Sequence, residues 1–489
     1  MFAFRGPNRE PVKHIIKKPR SPISVLNDDA LLHVFYIHRL HIEDGDDTSG
    51  LGYPFWDRQR WWYKLAHVSR RWRRVILAAP SLLDLHLVCT RGVPVADMLV
   101  HSPPLPLTIF YWFNTFTILK AKDEAGALLA LSHRNRVRRI ALYMSSSELE
   151  KLFVAMDGVF PVLGRLNIVS SIPGVTLPRT FGAPNLSHVE LMCVALPIQR
   201  PLLTATDLVS LRLRDIPRSG YFPPSYILAS LSLMPQLETL SIMFNYPVPS
   251  RDVRDVAITS DVILPNLREF EFRGVRAYLE SICARMTAPV LSVFLVEFFN
   301  QLIFAVPRLL SFMQTSQNLQ FYAVKLVCRR DYVRLQGGSQ LITRKYPLDL
   351  EILCRHLDWQ ISSAIQILDA LSPVLSAVEH VTLIVNSDES SRCHDEVDRS
   401  QWRALFRSFS NVRKLHVETK LVRGQAGQSL GHSLRTEDGE QPQPLELLPN
   451  LEEVICSGKN DENAFTPFIN EREALGHPVR LMRQSSLLW

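Results

Sequence analysis

Residues 184–191 read Pro-Asn-Leu-Ser-His-Val-Glu-Leu, and residues 235–242 read Pro-Gln-Leu-Glu-Thr-Leu-Ser-Ile. Both fit the pattern Pro/Asn-x-Leu-x-x-φ-x-φ, in which φ is an apolar residue. The alternation φ-x-φ is typical of a short strand with one buried face, and the leading leucine fills the turn into that strand. Further copies of the pattern begin at Pro265, Pro289 and Pro449, with weaker copies at Leu82, Val137, Leu163, Leu208, Leu319, Val378 and Val412.

The spacing of these copies is that of a repeat protein. From Leu163 to Leu319 the anchors are 23, 22, 29, 30, 24 and 28 residues apart, and Val378 follows after 59 residues with a strand-like stretch at 348–353 between. Helix-like stretches lie between the strands, at 147–156, 226–233, 277–286, 363–371 and 402–409. Ser147 and Glu150 are expected to form a capping box at the start of the first one.

One strand and one helix per repeat cannot bury both faces alone, so neighbouring repeats must stack. We therefore expect an α/β fold in which residues 81–489 form an irregular leucine-rich-repeat solenoid, with parallel strands on the concave face and helices outside. Glu190, Ser241 and Glu271 are expected on that concave face, where a target would bind, towards the C-terminal repeats. A general α/β domain with leucine-rich strands is the alternative.

Upstream of the repeats, two short segments carry apolar residues at helical spacing. In the first, Leu31, Leu32 and Phe35 share one face, and Asn27 is placed to cap the helix. In the second, the apolar residues step four and three positions apart, at Trp61, Leu65, Val68, Trp72 and Val75. Because these helices are too short to form a domain alone, they need a partner to cover them.

These two segments resemble the F-box, the adaptor-binding module of Skp-cullin-F-box ubiquitin ligases. The family pattern is Leu-Pro-x-Asp/Glu-x-Leu-x-x-Ile/Val-Phe, followed by Val-Ser/Cys-Arg/Lys-x-Trp-Arg. This chain has matching residues at Leu26, Asp29, Leu31, Val34 and Phe35, and then at Val68, Ser69, Arg70, Trp72 and Arg73. Asn27 stands where the family usually has proline, and an insertion at 41–60 separates the two halves. An ordinary buried helical hairpin is the other interpretation.

An F-box followed by irregular leucine-rich repeats resembles the leucine-rich-repeat F-box proteins, of the F-box-like type abundant in mushroom-forming fungi. The motif resemblance covers about residues 24–90. It implies a substrate-recognition subunit that binds a Skp-type adaptor, and through it a cullin scaffold, while the repeats bind an unknown target protein. The implied adaptor-binding residues are Leu26, Asp29, Leu31, Leu32, Phe35, Leu65, Val68, Ser69 and Trp72.

The expected organisation is a basic flexible leader at 1–21, an F-box helical module at 22–80 with an acidic loop at 41–60, and the repeats at 81–489. The net charge is +7, and residues 1–80 hold 14 Lys and Arg against 8 Asp and Glu. The repeats are therefore nearly neutral, which excludes a basic nucleic-acid platform. Residues 41–60 and 420–443 are expected to be mobile loops, dispensable for folding.

No motif for catalysis, cofactor binding or metal binding stands in a suitable context. Residues 427–431 fit Gly-x-Ser-x-Gly, but no apolar strand precedes the serine as a nucleophile elbow requires. Residues 393–396 read Cys-His-Asp-Glu within a charged loop and have no second ligand pair at usable spacing. We expect a protein that is not an enzyme, with no cofactor. A hydrolase with a scattered site is the weakest alternative.

The seven cysteines are scattered and odd in number, which favours a reducing interior and hence a cytoplasmic or nuclear protein. Residues 288–312 are the most membrane-like stretch, but polar residues interrupt them, so a strand, a loop and a helix are expected rather than a membrane span. The main alternative function is a non-catalytic leucine-rich-repeat scaffold whose F-box-like helices only cap the solenoid.

Overall fold

The structure is a computed structural model of the full chain. It describes residues 22–43, 60–112, 120–197, 205–247, 261–299, 304–329, 331–339, 346–354, 357–385, 399–419, 430–435, 447–456 and 459–483. Two compact units are present: one runs up to Val88 and includes Leu99–Thr108, and the other comprises Cys89–Met98 and the chain from Ile109 onward.

The first unit is mainly helical. A 3-10 turn at Pro22–Val25 leads into α1 (Asp28–Glu43), and α2 (Trp61–Ala66) and α3 (Arg70–Ala78) follow. Helix α1 continues to Glu43, past residue 41 where the acidic loop was expected to begin. Helix α4 (Val95–His101) and strands β1 (Leu87–Thr90) and β2 (Leu107–Trp112) contain residues of both units.

The second unit alternates strands and helices. Its helices are α5 (Ala121–Ser132), α6 (Ser146–Ala155), α7 (Pro224–Leu231), α8 (Arg276–Cys283), α9 (Pro307–Gln314), α10 (Leu357–Leu375), α11 (Arg399–Arg407) and α12 (Lys459–Ala474). Its longer strands are β3 (Val137–Met144), β4 (Arg165–Ser170), β6 (His188–Met192), β8 (Ser210–Ile216), β9 (Thr239–Phe244), β11 (Glu269–Gly274), β13 (Val293–Phe298), β14 (Ala323–Arg329), β15 (Tyr332–Gly338), β16 (Leu348–Leu353), β17 (His380–Val385), β18 (Lys414–Thr419), β19 (Glu453–Cys456) and β20 (Arg480–Arg483). Two-residue strands at Val175–Thr176 (β5) and Val194–Ala195 (β7), and at Val262–Ile263 (β10) and Met286–Thr287 (β12), form two small parallel pairs.

The long strands of the second unit form one sheet in the order β3-β4-β6-β8-β9-β11-β13-β16-β15-β14-β17-β18-β19-β20. The repeat pattern predicted its register. Val189 pairs with Leu211, Leu211 with Leu240, and Leu240 with Phe270. The row of φ residues two positions later runs from Leu191 to Phe272 in the same way. The chain therefore has the parallel-strand, α/β architecture of a leucine-rich-repeat solenoid.

One part of the sheet departs from the expectation that every strand is parallel to its neighbours. Strand β15 pairs antiparallel with both β14 and β16. As a result, β13 lies beside β16 rather than beside the next repeat copy in sequence, β14. The segment 348–353, which the sequence analysis placed as a strand-like stretch between two anchors, is β16 and takes the place next to β13. The β14–β15 hairpin follows on the other side of β16, between β16 and β17.

The helices of the second unit pack against one face of the sheet, and aromatic side chains lie in the core between them. Phe270 and Phe294 stack on neighbouring strands with ring centroids 5.3 Å apart, and Phe312 of α9 meets the edge of Phe294 at 5.7 Å. Tyr278 of α8 is fully buried and donates its hydroxyl to the carbonyl oxygen of Phe222 at 3.0 Å. A buried tyrosine hydroxyl needs such a partner, so this bond joins α8 to the segment before α7, two repeats earlier in the chain.

Backbone hydrogen bonds join each repeat to the next at the turn before the strand. The carbonyl oxygen of Ser187 accepts from the N–H groups of Val209 and Ser210, and that of Val209 accepts from Glu238 and Thr239. The carbonyl oxygen of Glu238 does the same for the next repeat. Because each of these carbonyl oxygens accepts hydrogen bonds from two N–H groups of the next repeat, consecutive repeats are held in a common register.

An asparagine immediately before the anchor residue also joins adjacent repeats. Its side-chain Nδ2 donates to a main-chain carbonyl oxygen one repeat earlier in five places: Asn185 to Pro161 (2.6 Å), Asn266 to Pro235 (3.1 Å), Asn318 to Val290 (3.2 Å), Asn411 to Ser376 (2.7 Å) and Asn450 to Ser410 (3.1 Å). We call these five residues the asparagine ladder. Each member of the ladder stands immediately before the anchor residue of its repeat.

Several expectations lie wholly or partly outside the described residues. These are the leader 1–21, most of the acidic loop 41–60, the Cys-His-Asp-Glu segment at 393–396, and residues 427–429 of the Gly-x-Ser-x-Gly match. Within the expected loop 420–443, residues 430–433 are helical, and Leu430 and Leu434 are buried. That part of the prediction was wrong, because two leucines four residues apart face the core on one helical turn.

Candidate functional site

The helices of the first unit are held together by caps and ion pairs. The side-chain oxygen of Asn27 accepts from the N–H of Ala30 at 2.8 Å, which caps α1 as its sequence indicated. Ser69 caps α3 by accepting from the N–H of Trp72 at 3.1 Å. Arg71 and Arg74 reach the carboxylate of Asp28 at 2.7 and 3.1 Å, and the hydrogen bond from Arg71 lowers the pKa of Asp28.

The implied adaptor-binding residues divide into a buried and an accessible group. Leu31 and Phe35 are 0% and 1% exposed, and Phe35 packs against the edge of Trp72 with ring centroids 5.1 Å apart. The remaining matched positions reach the surface to different extents: Leu26, Leu32, Leu65, Ser69 and Trp72 are half-buried, while Asp29 and Val68 are exposed. Leu31 and Phe35 therefore hold the helices together from the inside.

Large apolar side chains are exposed on this helical unit. Val25 is 77% exposed, Val68 is 59% exposed, and Val34 and Ile37 of α1 are each 43% exposed. Val34 and Ile37 stand three residues apart, so they share one face of α1. The helical unit therefore presents several large apolar side chains to solvent in addition to those that it buries.

A buried polar network, which the sequence did not reveal, connects α2 to Asp84, His86 and Thr108 of the first unit. Trp62 donates from Nε1 to the carbonyl oxygen of His86 at 3.3 Å. The His86 ring, only 2% exposed, lies 3.0 Å from the carboxylate of Asp84 and 3.3 Å from the hydroxyl of Thr108. The helical part of this unit is therefore fastened to the segment that follows it by hydrogen bonds as well as by apolar packing.

In the second unit, the face of the sheet opposite the helices carries charged residues; we call it the open face. Arg214 of β8 pairs with Glu190 of β6 at 3.6 Å and with Glu271 of β11 at 2.9 Å. Arg212 reaches Glu269 of β11 at 3.8 Å. Both arginines thus span β9, which lies between β8 and β11 and has a short residue, Ser241, at this place.

Glu190 and Glu271 lie on the open face as expected, but Ser241 is not accessible there. Ser241 is in register with Arg212 and Glu271 and is 0% exposed. The physical reason is that the Arg214–Glu271 ion pair crosses strand β9 and covers the small side chain. Sequence alternation assigned the correct face to Ser241, but it could not show that long neighbouring side chains close over it.

A second set of ion pairs continues along the open face. Arg273 lies 3.0 Å from Glu297 and 3.6 Å from Asp215. Arg334 of the antiparallel strand β15 donates to both carboxylate oxygens of Asp349, and Gln336 donates to the same carboxylate at 3.0 Å. Charged residues therefore form a nearly continuous layer from β6 to β15.

Burial and charge act differently on the carboxylates of this layer. Burial raises the pKa of Glu271. The positive charges of Arg214 and Arg212, together with side-chain hydrogen bonds from Arg214 and Ser241, lower it by more, so the net effect is a lowered pKa. Burial raises the pKa of Glu297 and of Glu351, which stand opposite each other on β13 and β16. Carboxylates are therefore in local excess on β13 and β16, whereas arginine dominates at β8.

At the turn edge of the C-terminal repeats, a shallow polar groove of about 590 Å³ is lined by residues that include Asn411, Arg413, Asn450 and Glu452. Asn411 and Asn450 already donate to main-chain carbonyl groups as members of the asparagine ladder. The groove is thus bordered by groups that join the repeats to each other.

Within the part of the chain that the structure describes, no group of three or more His, Cys, Asp and Glu residues is placed to hold a metal ion. The six cysteines in that part of the chain form no disulfide bonds with one another. Among the described helices, none has both the length and the apolar character needed to cross a membrane. Residues 288–312 contain β13 and most of α9, in agreement with the strand, loop and helix predicted from the sequence.

Comparison with protein-family models gives no match, and no curated protein matches the chain. Among solved structures, the crystal structure of a TLR13–ssRNA13 complex aligns over 82% of this chain and 49% of the matched chain, with 12% identity and a TM-score of 0.31. The leucine-rich repeat-containing protein LegL7 from Legionella pneumophila aligns over 80% of this chain and 98% of its own, with 12% identity and a TM-score of 0.25. The chain spans about half the length of the TLR13 chain that it matches. The strand register and the hydrogen bonds between repeats in this chain are those of a leucine-rich-repeat fold.

Proposed function

We propose that this protein is a substrate-recognition subunit of a Skp-cullin-F-box ubiquitin ligase. In this proposal the helical module binds a Skp-type adaptor, and through it the cullin scaffold, while the open face of the repeats binds the target protein. The observation that carries the proposal is the exposed apolar surface at Val25, Val34 and Val68, on helices whose sequence resembles the F-box.

The packing of the helical module supports this role. Leu31 and Phe35 fill its interior, so the helices keep their arrangement without using the exposed valines. Those valines remain available to contact a second protein, and burying their apolar side chains against it would favour binding. An adaptor that covers them would supply the partner that such short helices need.

The chain itself would perform no chemistry. Its contribution would be proximity: a target held on the repeats is brought to a high effective concentration near the ubiquitin-charged conjugating enzyme. In such a complex the protein works in the cytoplasm, the nucleus or both, without a cofactor.

Reconstitution tests this proposal. The full chain is co-expressed with a Skp-type adaptor and the amino-terminal half of a cullin, and the mixture is analysed by size-exclusion chromatography with light scattering. We expect a three-protein complex of equal stoichiometry. A chain that elutes alone, while remaining folded by circular dichroism, would contradict the ligase function and leave the non-catalytic leucine-rich-repeat scaffold as the better account.

A further inference from the structure

A row of four side chains crosses the polar groove at the turn edge of the C-terminal repeats, which we call the edge groove. The carbonyl oxygen of Tyr322 accepts from the N–H of Glu379 at 2.9 Å, and that of Glu379 accepts from Arg413 at 2.8 Å. The carbonyl oxygen of Arg413 in turn accepts from the N–H of Glu452 at 2.8 Å. The four residues therefore hold equivalent places in neighbouring repeats, about 4.8 Å apart, and all four line the edge groove.

The lining of the edge groove holds more negative than positive charge. Arg413 stands between Glu379 and Glu452, and its guanidinium lies 3.8 Å from the carboxylate of Glu452. Among the residues that the structure describes, none forms an ion pair with Glu379. His477 also lines the groove and is counted as neutral at pH 7. The lining therefore has two carboxylates against one guanidinium.

The next charged residues along the strands belong to the open face and not to the groove. Lys414 and Glu453, the first residues of β18 and β19, form an ion pair at 3.1 Å, and Arg480 of β20 is in register with Glu453. None of these three side chains lines the edge groove. Glu453 thus stands between two basic residues, and the groove keeps its own excess of one carboxylate.

An exposed aromatic ring stands next to Glu379. Tyr322 is 47% exposed, and its hydroxyl lies 3.5 Å from the side-chain oxygen of Gln320. A cation is attracted to the electron-rich face of a tyrosine ring, and a carboxylate beside the ring accepts hydrogen bonds from the same cation. The pair formed by Tyr322 and Glu379 is therefore suited to a guanidinium or an ammonium group.

We propose that the edge groove binds a basic segment of the target protein, whose arginine or lysine side chain lies over Tyr322 and beside Glu379. The inference rests on the proposed function, in which the repeats bind the target, and it adds the charge of the target and a place of contact next to the open face. The volume of the groove, about 590 Å³, is within the range of roughly 300–1,000 Å³ that is usual for ligand sites.

The edge groove lies at the C-terminal repeats, where the sequence pattern suggested that a target binds, but at the turn edge and not on the open face. Single repeats do not show this site. Tyr322 and Glu379 are far apart in the chain and become neighbours because β14 pairs in parallel with β17.

Selection from a random peptide library, followed by titration, tests the inference. The full chain is immobilised, a phage-displayed library of 12-residue peptides is applied, and phage that also bind a Tyr322→Ala/Glu379→Gln variant are removed. We expect the remaining peptides to share an arginine or a lysine. In isothermal titration, the double variant should bind these peptides about tenfold or more weakly than the wild type does.

Replacing the shared cation by a neutral analogue identifies the contact. Citrulline has nearly the shape of arginine without its charge, and acetyl-lysine serves in the same way for lysine. The replacement should weaken binding to the wild type by about tenfold and have little further effect in Glu379→Gln, because the contact is already lost there. Equal losses in the two proteins would show that the cation does not contact Glu379 and would overturn the inference.

Glu150→Gln is the matched control, because Glu150 is an exposed glutamate of α6, outside the edge groove. It should bind the peptides as the wild type does. Circular dichroism and thermal unfolding establish that the variants are folded. Glu379→Gln, which replaces one oxygen atom by an NH₂ group, keeps the test decisive if Tyr322→Ala lowers stability.

Adaptor binding, measured on the same preparations, should be unchanged. Binding of the adaptor without any peptide that distinguishes the wild type from the double variant would contradict this inference alone, and binding of the peptides without the adaptor would contradict the ligase proposal alone. Enrichment of Asp-rich or Glu-rich peptides, whose binding is lost in Arg413→Gln, would also overturn the inference and assign the groove to an acidic partner.

Discussion

Asn185 donates from Nδ2 to the carbonyl oxygen of Pro161, 24 residues earlier in the chain, at 2.6 Å. The same relationship recurs at the other four members of the asparagine ladder. In each case the following residue is the buried anchor, so one dipeptide both fills the core and bonds to the preceding repeat. This hydrogen bond to the preceding repeat accounts for the polar residue that precedes the buried anchor in these five repeats.

The first prediction concerns this ladder. Asn185→Ala should lower the free energy of unfolding by about 0.5–1.5 kcal/mol, because the carbonyl oxygen of Pro161 loses its donor. Urea unfolding followed by circular dichroism measures the change. Asn245→Ala is the control, since Asn245 is exposed and its side chain forms no hydrogen bond with another described residue. Equal effects of the two substitutions would show that the ladder adds no stability.

The second prediction concerns the ion pair between Arg214 and Glu271. Replacing Arg214 by Met leaves the largely buried Glu271 carboxylate without its main counter-charge, so we expect a loss of about 1–3 kcal/mol at pH 7. The pKa of Glu271 is lowered in the folded protein from its ordinary value of 4.5. The pair therefore stabilises the fold fully above that value, and this contribution disappears as the pH falls through the lowered pKa.

The measurement is urea unfolding of the wild type and Arg214→Met at pH 7 and at pH 3.5. The difference between them should be smaller at the lower pH. Arg480→Met, which changes an exposed arginine of the edge strand β20, should have little effect at either pH. A difference that grows on acidification would mean that Arg214 does not act through Glu271.

The third prediction concerns packing at Gly431, the last residue of the Gly-x-Ser-x-Gly match. A Cβ on Gly431 would lie only 2.7 Å from the carbonyl carbon of Ala464 in α12, and backbone cannot move aside cheaply. Gly431→Ala should therefore destabilise the protein by about 1–3 kcal/mol or more. Gly182→Ala is the control, because a Cβ there would make an ordinary contact of 3.5 Å with Val159. If thermal unfolding shows the two variants to be equally stable, the glycine is not required by packing.

The sequence predicted the repeat anchors well, because each combines a leucine, a strand of alternating apolar residues and a nearly regular spacing. Leu186, Leu237 and Leu267 are all 0% exposed, and the strands that follow them are parallel and in register. The β14–β15 hairpin was missed, because strand direction depends on which neighbour supplies hydrogen bonds and not on the pattern within one strand.

Helix ends were predicted less well than strand positions. The expected capping box of Ser147 and Glu150 is formed instead by Ser145 and Glu148, whose carboxylate accepts from the N–H of Ser145 at 3.2 Å. Three consecutive serines at 145–147 offer alternative caps, and only packing of the helix decides between them.

In the helical module, the sequence identified helices and their caps but not which matched residues are accessible. Spacing placed Leu31, Leu32 and Phe35 on one face, and of these only Leu32 reaches the surface. A test of adaptor binding that truncates Phe35 would therefore change the core of the module. Val34 and Val68 are better positions, since they are exposed and match the F-box pattern.

The central claim is that this module binds a Skp-type adaptor, and isothermal titration of the purified adaptor into the full chain tests it most directly. We predict saturable binding by the wild type, and a loss of affinity of about a hundredfold or more in a Val34→Glu/Val68→Glu variant, in which two charges enter the apolar interface. Val154→Glu, at a valine 78% exposed on α6, is the matched control and should bind as the wild type does. Absence of binding by the folded wild type, or equal binding by the double variant, would contradict the claim.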